Sequence, residues 1–492
     1  MAEQLRPEGI PVVIGDVVIT TPGLTGEVEV HPAGSAGMRG AEDSTEEFLT
    51  ALDEASMTEQ VTVEVSRQVE LDDRGGSRAG GGGEEIVVEV PGPGEGNGQV
   101  LLYAAEDGSL TWHLPDSFDP QDTPSRGGER RTYRVPRAVV LAESAEGDQR
   151  GILGALGSKL FKVLVFPLVD PVLGEVGNHF AGRWEEHYRR NQVRWIGVDT
   201  LTSRDVPAFG DPDWARAARG AALLFVHGTT AMSHTAFTAL PAAVLTELAR
   251  RYEGRVFALD HFTVSVTPSN NVEWLAGVLP ANASLTVDVV THSRGGLVGR
   301  ALAERGSELG LGDRLRVRNL VMVAPPNAGT ALADKEHLSQ LLDRITNLVQ
   351  YIPDNGVTDV LGLVLAIVKQ LAVGAFGGLE GIMSMNPSGP GLKAFNASPG
   401  STATYRVVAS DFEPPPGSSL ARIARDEGTD IVFEDVRNDL VVPTVGAYDL
   451  PSTPGFPVPD PLVFPAEAGV DHSSYFGRPE LGPKLLEWLP GA

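Results

Sequence analysis

The stretch VDVVTHSRGGLVGRALAE at residues 287–304 decides the fold, because an apolar strand, a tight turn and a helix follow one another in it. Ser293 lies at the turn, and Gly295 and Gly296 supply the small side chains that so sharp a turn needs after it. Thr291 stands before the serine, where glycine is usual. The helix N-terminus points its amides toward a developing negative charge. We predict that Ser293 is a nucleophile; the alternative is a plain helix cap.

From about Val198 onward, apolar runs alternate with helical segments. This alternation predicts an α/β fold with a mostly parallel sheet and helices on both faces. Ligands bind such sheets at the carboxyl ends of the strands. The predicted strands lie in AALLFVHG (221–228), RVFALDH (255–261), LTVDVVTHS (285–293), RVRNLVMVAPP (316–326), TYRVVAS (404–410) and LVFPAEAG (462–469).

A serine hydroxyl needs an imidazole to take its proton and a carboxylate to orient that imidazole. His472, just past the last predicted strand, is the candidate base. His292 is held inside the turn, and His337 comes before the strand after which the acid is expected. The alternative for His472 is an ordinary histidine of a surface loop.

The candidate acid is Asp439, which lies in a turn before an apolar run in RNDLVVPTVGA (437–447). Asp411 follows the strand TYRVVAS directly and stays open as an alternative, as does Asp435. An acyl-transfer site also needs N–H groups that stabilise the oxyanion. We predict those of Arg294, which follows the serine, and of Thr229, which follows the strand end in LLFVHGTT (223–230).

Five motifs occur in an order that resembles the lipase-type α/β-hydrolases: LLFVHGTT, VTHSRGGLVGR, VMVAPPNAGTALA, MSMNPSGPGLKAFN and RNDLVVPTVGA. The nearest families are the bacterial triacylglycerol lipases and the GPI inositol-deacylase-like proteins, and the resemblance covers roughly residues 220–480. It implies an α/β-hydrolase fold with the chain order Ser, acid, His. The acid motif of the bacterial lipases maps onto Asn438 and Asp439, with Leu440 in place of its glycine, and the histidine that follows maps onto His472.

The resemblance also bears on metal and lid. Those lipases often bind calcium through an aspartate two residues after the histidine, where this chain has Ser474, so whether calcium is bound stays open. We name no metal ligand and expect no cofactor. The insertion at about 331–396 lies where the family keeps its lid. One apolar face at helical spacing supports a helix there, and core helices or a dimer contact are the alternatives. That face consists of Leu338, Leu341, Leu342, Ile345, Leu348 and Val349.

The rest of the chain predicts two further parts. Residues 1–150 carry short period-two runs between turn formers, which predict a β-rich accessory domain, with Gly-rich loops between Asp72 and Gly98. Residues 151–200 are apolar and then amphipathic, with a helix in NHFAGRWEEHYRRNQVRW (178–195), and predict a helical connector that packs on the hydrolase or touches a membrane surface. Residues 201–492 would be the hydrolase domain.

Composition limits the function. A formal charge of −26 argues against a nucleic-acid binder, and the lack of cysteine excludes a thiol nucleophile. The start of the chain has no secretion signal. The apolar segment from Gly151 is interrupted by lysines and prolines and falls short of a membrane span, so we expect a cytoplasmic protein. The abundance of arginine, alanine and glycine is typical of bacterial GC-rich genomes.

Together these features predict a serine hydrolase that cleaves carboxylic esters, with an ester or lipid as substrate and possible peripheral contact with a membrane. Two alternatives remain open. The first is a hydrolase-fold scaffold or binding protein whose site is vestigial, which Thr291 and Leu440 favour. The second is a phospholipase or acyltransferase at a membrane that uses the same triad. The sequence does not indicate an oligomeric state.

Overall fold

The structure is a computed structural model that describes residues 2–32, 43–70, 85–104, 110–116, 130–136, 158–168, 180–334, 337–348, 357–372, 379–412 and 436–491. Its strands are β1 (Glu3–Gln4), β2 (Val12–Ile14), β3 (Val17–Thr20), β4 (Leu24–Pro32), β5 (Thr58–Glu70), β6 (Glu85–Pro91), β7 (Asn97–Ala104), β8 (Leu110–His113), β9 (Arg130–Pro136), β10 (Ser158–Pro167), β11 (Gln192–Trp195), β12 (Ala221–Val226), β13 (Val256–Asp260), β14 (Leu285–His292), β15 (Leu315–Val323), β16 (Thr404–Ser410) and β17 (Leu462–Phe464).

Its α-helices are α1 (Asp43–Glu54), α2 (Phe180–Tyr188), α3 (Asp211–Ala217), α4 (Ser233–Ala236), α5 (Ala242–Arg251), α6 (Pro268–Val278), α7 (Gly295–Arg305), α8 (Leu338–Leu348), α9 (Val357–Ala372), α10 (Glu380–Met383), α11 (Pro390–Asn396) and α12 (Leu481–Trp488). The chain forms two compact units. The first unit comprises Met1–Trp184 and Ser339–Gly377, and the second comprises Glu185–Leu338 and Gly378–Ala492.

The first unit is built on two antiparallel sheets. The larger has the strand order β1-β4-β5-β10-β7-β8, and the smaller has the order β2-β3-β6-β9. Buried and part-buried residues alternate along β3 and β6, as expected for strands with one face in a core. Valines from both sheets, such as Val63 and Val88, meet in one apolar core. The Gly-rich stretch predicted as loops lies outside the described residues from 71 to 84.

The helical connector predicted for residues 151–200 is wrong over part of its length. Ser158–Pro167 forms β10, between β5 and β7. Both faces of the strand are buried, so its sequence shows no alternation of apolar and polar residues. Its lysines are buried but paired: Lys162 Nζ lies 2.8 Å from Glu59 Oε2, and Lys159 Nζ lies 3.2 Å from the hydroxyl of Tyr103. The predicted amphipathic helix ends at Tyr188, and the residues after it form β11.

Of the helices in the predicted lid segment, α8 from Ser339 onward and α9 belong to the first unit, whereas α10 and α11 belong to the second. Helix α9 packs against α1 and β7, and its residues from Leu361 onward are buried. Helix α8 is tied to β8, because Asp343 accepts a hydrogen bond from the backbone N–H of Trp112 (2.7 Å), and the Trp112 indole donates to Thr346 (3.0 Å). Leu338, Leu341 and Leu342 are buried, as an apolar face requires, and residue 349 lies outside the described part. A lid role for this segment stays a prediction.

The second unit has a seven-stranded sheet with the order β11-β13-β12-β14-β15-β16-β17. Strand β11 is antiparallel to β13, and all other neighbouring pairs are parallel. The six strands predicted from the sequence are present as β12 to β17. The chain passes from β12 outward to β13 and returns across the sheet to β14, so the strand order reverses beside β12. Crevices at such a reversal, beyond the carboxyl ends of the strands, are where ligands bind α/β sheets.

Helices α5, α7 and α12 bury apolar faces in this unit. The core beneath α5 and α12 holds side chains such as Leu245 and Leu485 together with Phe225 of β12. Among the described helices, none combines the length and the apolar character needed to cross a membrane.

Candidate active site

The turn after β14 holds Ser293 in a left-handed backbone conformation. Its φ is +53°, a region that residues with a side chain enter only at local cost. The Ser293 N–H is tied to the carbonyl of Val323 on the neighbouring strand (2.9 Å), which helps to hold the turn. Helix α7 starts two residues later. The serine is 6% exposed, so its hydroxyl lies in a nearly closed site.

Glycines let other backbone segments approach this turn. A Cβ at Gly295 would lie 2.4 Å from the carbonyl oxygen of Val226, at the end of β12. A Cβ at Gly228 would lie 2.6 Å from Cβ of Ser293. Real side-chain carbons do not come so close, so only glycine allows the end of β12 to lie directly against the serine.

Thr291, the departure from the usual motif, is accommodated by α7. The threonine is fully buried, and its hydroxyl donates to the carbonyl of Val321 (3.4 Å). A Cβ at Gly299 would lie 2.8 Å from Cγ2 of Thr291 and 2.7 Å from Cδ1 of Leu320. Gly299 therefore leaves room in the helix for the Thr291 side chain. A glycine in the helix provides the space that a glycine at position 291 would otherwise provide.

The structure brings Ser293, His472 and Asp439 together in one chain of hydrogen bonds. His472 Nε2 lies 2.8 Å from Ser293 Oγ, and His472 Nδ1 lies 2.8 Å from Asp439 Oδ2. Because a carboxylate can only accept, Nδ1 carries the proton and Nε2 is free to accept from the serine hydroxyl. Such an arrangement can deprotonate the serine as it attacks.

Asp439 is surrounded by donors. Its Oδ1 accepts from the backbone N–H groups of Val441 (3.1 Å) and Val442 (2.7 Å), and its Oδ2 also accepts from the hydroxyl of Tyr475 (2.9 Å). Burial raises the pKa of Asp439, but the neighbouring His472 and these hydrogen bonds outweigh it, so the pKa lies below its ordinary value. Leu440, which stands where the lipase motif has glycine, has a φ of +79°, in the left-handed region that favours glycine.

The other candidates lie elsewhere. Asp411 forms a long ion pair with Arg437, in which Oδ2 of the aspartate lies 3.7 Å from Nη1 of the arginine. Asp435 lies outside the described residues. His337 bonds Asp334 (2.8 Å) near the start of α8. His292 donates through Nε2 to the carbonyl of His472 (2.8 Å), and burial lowers the pKa of His292 to about 3, so it is neutral. The sequence interpretation gave His292 no part in the site, whereas its ring braces the backbone of the candidate base.

The two backbone N–H groups predicted to bind the oxyanion come from residues next to Ser293 and Gly228. Within the described residues, the N–H groups of Thr229 and Arg294 donate no hydrogen bond. Thr229 follows Gly228, which lies against the serine, and Arg294 follows the serine itself. Unpaired N–H groups are rare in protein interiors. These are the two groups that the sequence predicts for an oxyanion hole.

The side chain of Arg294 points away from this site and ties it to the surrounding loops. It is fully buried, and its guanidinium donates to the carbonyls of Gly381 (3.0 Å) and Val266 and to Asn271 Oδ1 (3.2 Å). Burial lowers the pKa of Arg294 to about 10, which leaves it charged at neutral pH. The predicted N–H donor therefore belongs to a residue that is anchored from three sides.

His227 lies beneath the loop after β12. Its Nε2 accepts from the backbone N–H of His261 (3.1 Å), its Nδ1 faces the carbonyl of Gly228 (3.0 Å), and the two imidazoles stack with centroids 4.2 Å apart. Burial lowers the pKa of His227 to about 4, so the ring is neutral and shapes the loop. Within the described ranges, no group of three or more His, Asp or Glu side chains is placed to hold a metal ion.

Two residues that sequence reasoning missed belong to the surroundings of the site. Tyr475 donates to the candidate acid, and the buried Glu185 binds the loop after β13. Tyr475 follows His472 by three residues, and that short spacing is the local signal for it. No local signal marks Glu185, because its partners are far along the chain.

Residues 188–490 match the family model described as a domain of unknown function (DUF7379), and the chain belongs to that family. No curated protein matches the sequence.

Distant likenesses exist among solved structures. The mature lipase BlEst2 of Bacillus licheniformis is 17% identical, with a TM-score of 0.32, over 55% of this chain and 92% of that one. Lipase 1 from Pelosinus fermentans is 13% identical, with a TM-score of 0.37, over 54% of this chain and 98% of that one. The Staphylococcus hyicus lipase is 14% identical, with a TM-score of 0.32, over 56% and 93%. Likenesses this distant say nothing about what this chain acts on.

Proposed function

We propose that the protein is a serine hydrolase of the α/β-hydrolase fold that cleaves carboxylic esters. The observation that carries the proposal is the chain of hydrogen bonds from Asp439 through His472 to Ser293. The strand order of the second unit and the strand–turn–helix setting of the serine support it.

In the proposed reaction, Ser293 Oγ attacks the ester carbonyl while His472 Nε2 takes its proton. The carbonyl oxygen becomes an oxyanion, which the N–H groups of Thr229 and Arg294 stabilise. His472 then protonates the leaving alkoxide, and an acyl-enzyme remains. Water, deprotonated by the same imidazole, releases the acid and restores the serine. Asp439 keeps the proton on Nδ1 throughout and stabilises the imidazolium.

The substrate class is proposed as an ester or a lipid. Peripheral contact with a membrane and a cytoplasmic location are further parts of the proposal. An acyl acceptor other than water is the alternative that uses the same three residues. A panel of p-nitrophenyl esters graded by acyl length, assayed with and without liposomes, would separate a small-ester esterase from an enzyme of lipid surfaces. A rise in rate on liposomes is expected only for the second.

Ser293→Ala tests the proposal directly. The variant should lose labelling by a fluorophosphonate and lose hydrolysis of p-nitrophenyl esters, because both reactions need the serine oxygen. Ser307→Ala is the matched control, since Ser307 is an exposed serine just beyond α7, and it should keep both. Labelling or turnover that survives in Ser293→Ala contradicts the assignment. A wild-type chain that reacts with neither reagent would favour the vestigial scaffold.

A further inference from the structure

Glu185 is a buried carboxylate that organises the loop after β13. The residue is 1% exposed. Its Oε1 accepts from the backbone N–H groups of Thr263 (2.6 Å) and Val264 (3.0 Å), and its Oε2 accepts from the N–H (2.9 Å) and the hydroxyl (2.5 Å) of Ser265. Every contact is a donor, which is what a carboxylate requires in a buried place. Three consecutive residues of this loop are therefore held by one carboxylate.

The Thr263 hydroxyl links Glu185 to the loop after β12 through two hydrogen bonds. Its hydroxyl has one proton, which is directed to Glu185 Oε1 (3.3 Å). The oxygen of the same hydroxyl accepts from the backbone N–H of Thr230 (3.2 Å). With its proton directed toward the carboxylate, the hydroxyl presents a lone pair to Thr230.

Thr230 is held on its other side as well. The guanidinium of Arg189, which follows α2, donates to the Thr230 carbonyl (3.3 Å). Arg189 is one helical turn from Glu185, and its N–H donates to the Glu185 carbonyl (2.8 Å). Thr230 has a φ of +60°, which a threonine adopts only where its surroundings hold it there. Both peptide groups of this residue are thus fixed by contacts that lead to Glu185 and Arg189.

We infer that Glu185, Thr263 and Arg189 are positioning residues that set the direction of the Thr229 N–H toward the oxyanion. The inference rests on the proposed function. Thr229 is joined to Thr230 by one peptide bond, and its carbonyl also accepts from the Thr230 hydroxyl (2.7 Å), so contacts that hold Thr230 restrain Thr229 as well. None of the three positioning residues touches Ser293 or His472 through a hydrogen bond in the described chain.

The expected signature is kinetic. The negative charge on the oxygen develops as the tetrahedral intermediate forms and is absent from the bound ester, so a misdirected N–H lowers kcat and leaves KM nearly unchanged. Loss of one oxyanion donor costs about a hundredfold to a thousandfold, and a misplaced one costs less. We therefore expect a fall in kcat of about tenfold to a hundredfold when the contact to Thr230 is removed.

Thr263→Val removes the hydroxyl and keeps the shape of the side chain. Thr263→Ser keeps the hydroxyl and should restore most of kcat. Thr238→Val is the matched control, because the part-buried Thr238 hydroxyl donates only to the nearby carbonyl of Thr235 (3.2 Å). Each variant is assayed as the full chain for kcat and KM on a p-nitrophenyl ester, and for inhibition by an alkyl boronic acid, whose serine adduct is tetrahedral. For Thr263→Val the inhibition constant should rise in step with the loss of kcat.

The outcomes separate the two proposals. If a folded Thr263→Val keeps both its kcat and its inhibition by the boronic acid, the inference is overturned. The proposed function still stands in that case, provided that turnover by the wild type depends on Ser293. An equal fall in Thr263→Ser, or a loss confined to KM, also overturns it. If the wild type shows no turnover that depends on Ser293, both proposals fail. Should Thr263→Val not fold, Arg189→Met, which removes the other contact of Thr230, must show the same split between kcat and KM.

Discussion

Asp439→Asn should prevent His472 from acting as a base while keeping a side chain of the same shape beside it. Oδ1 of Asp439 accepts two backbone N–H groups, so the oxygen of an asparagine is expected to stay there. The amide nitrogen would then take the place of Oδ2 and point its protons at Nδ1 of His472. The imidazole would then accept a hydrogen bond at Nδ1 and carry its proton on Nε2, and that proton would face Ser293. In that tautomer it cannot take the serine proton.

The size of the effect follows from the loss of this one function. Locking a triad histidine in the wrong tautomer costs about ten-thousandfold in kcat, or about 5.5 kcal/mol at about 1.4 kcal/mol per factor of ten. The fold should be little affected, because the amide satisfies the same partners, including the hydroxyl of Tyr475, which can turn to accept. We expect a loss of about 1–2 kcal/mol in the free energy of unfolding.

The assay is kcat on a p-nitrophenyl ester near neutral pH, with thermal unfolding as the check on the fold. Asp411→Asn is the matched control, since Asp411 pairs only loosely with the exposed Arg437 at 3.7 Å. It should keep kcat within about threefold, as surface ion pairs contribute little. A folded Asp439→Asn that retains a tenth of the activity or more, or an Asp411→Asn that loses more than it, would refute the reasoning.

Three further outcomes can be checked. Gly299→Ala should cost about 1–3 kcal/mol of stability by clashing with Thr291, and Thr291→Gly in the same chain should recover part of it, so additive losses in urea unfolding would count against the close contact. His292→Phe keeps the ring but leaves the carbonyl of the proposed base unpaired, and kcat should fall about tenfold; an unchanged kcat would show that the brace is dispensable. Burial lowers the pKa of His227 to about 4 and that of His292 to about 3. Below about pH 6.5 the unfolded chain binds protons at these histidines that the folded chain does not, so the stability that depends on neutral rings is lost as the pH falls toward these lowered pKa values. The free energy of unfolding should therefore drop between pH 6.5 and 5 by up to about 1.4 kcal/mol per pH unit for each histidine, and a flat profile would contradict the buried neutral rings.

Much of the second unit could be predicted because its signals are local. Each of the strands β12 to β17 is an apolar run next to turn formers, and Ser293 is marked by its position between a strand and a helix. The chain just after β12 lies against Ser293, and the glycine at position 228 is the residue in the sequence that permits this contact. A pattern within a few residues is enough for such features.

What could not be predicted depends on partners far along the chain. Strand β10 resembles a connector because its lysines break an apolar run, and only the fold supplies Glu59 for Lys162. The role of Glu185 depends on a loop that comes much later in the sequence. The choice between Asp439 and Asp411 likewise depends on which of two turns reaches His472, and that is a matter of three-dimensional distance.

The first unit is interrupted in sequence, and this has a consequence for how the chain is made. Helix α9 is buried against α1 and β7, yet it is encoded after β11 to β15 of the second unit. Since synthesis runs from the N-terminus, the ribosome must release most of the second sheet before the first unit can close its core. A fragment that stops near residue 200 would therefore leave an apolar surface uncovered, and a chaperone that shields it during translation would be of use to this protein.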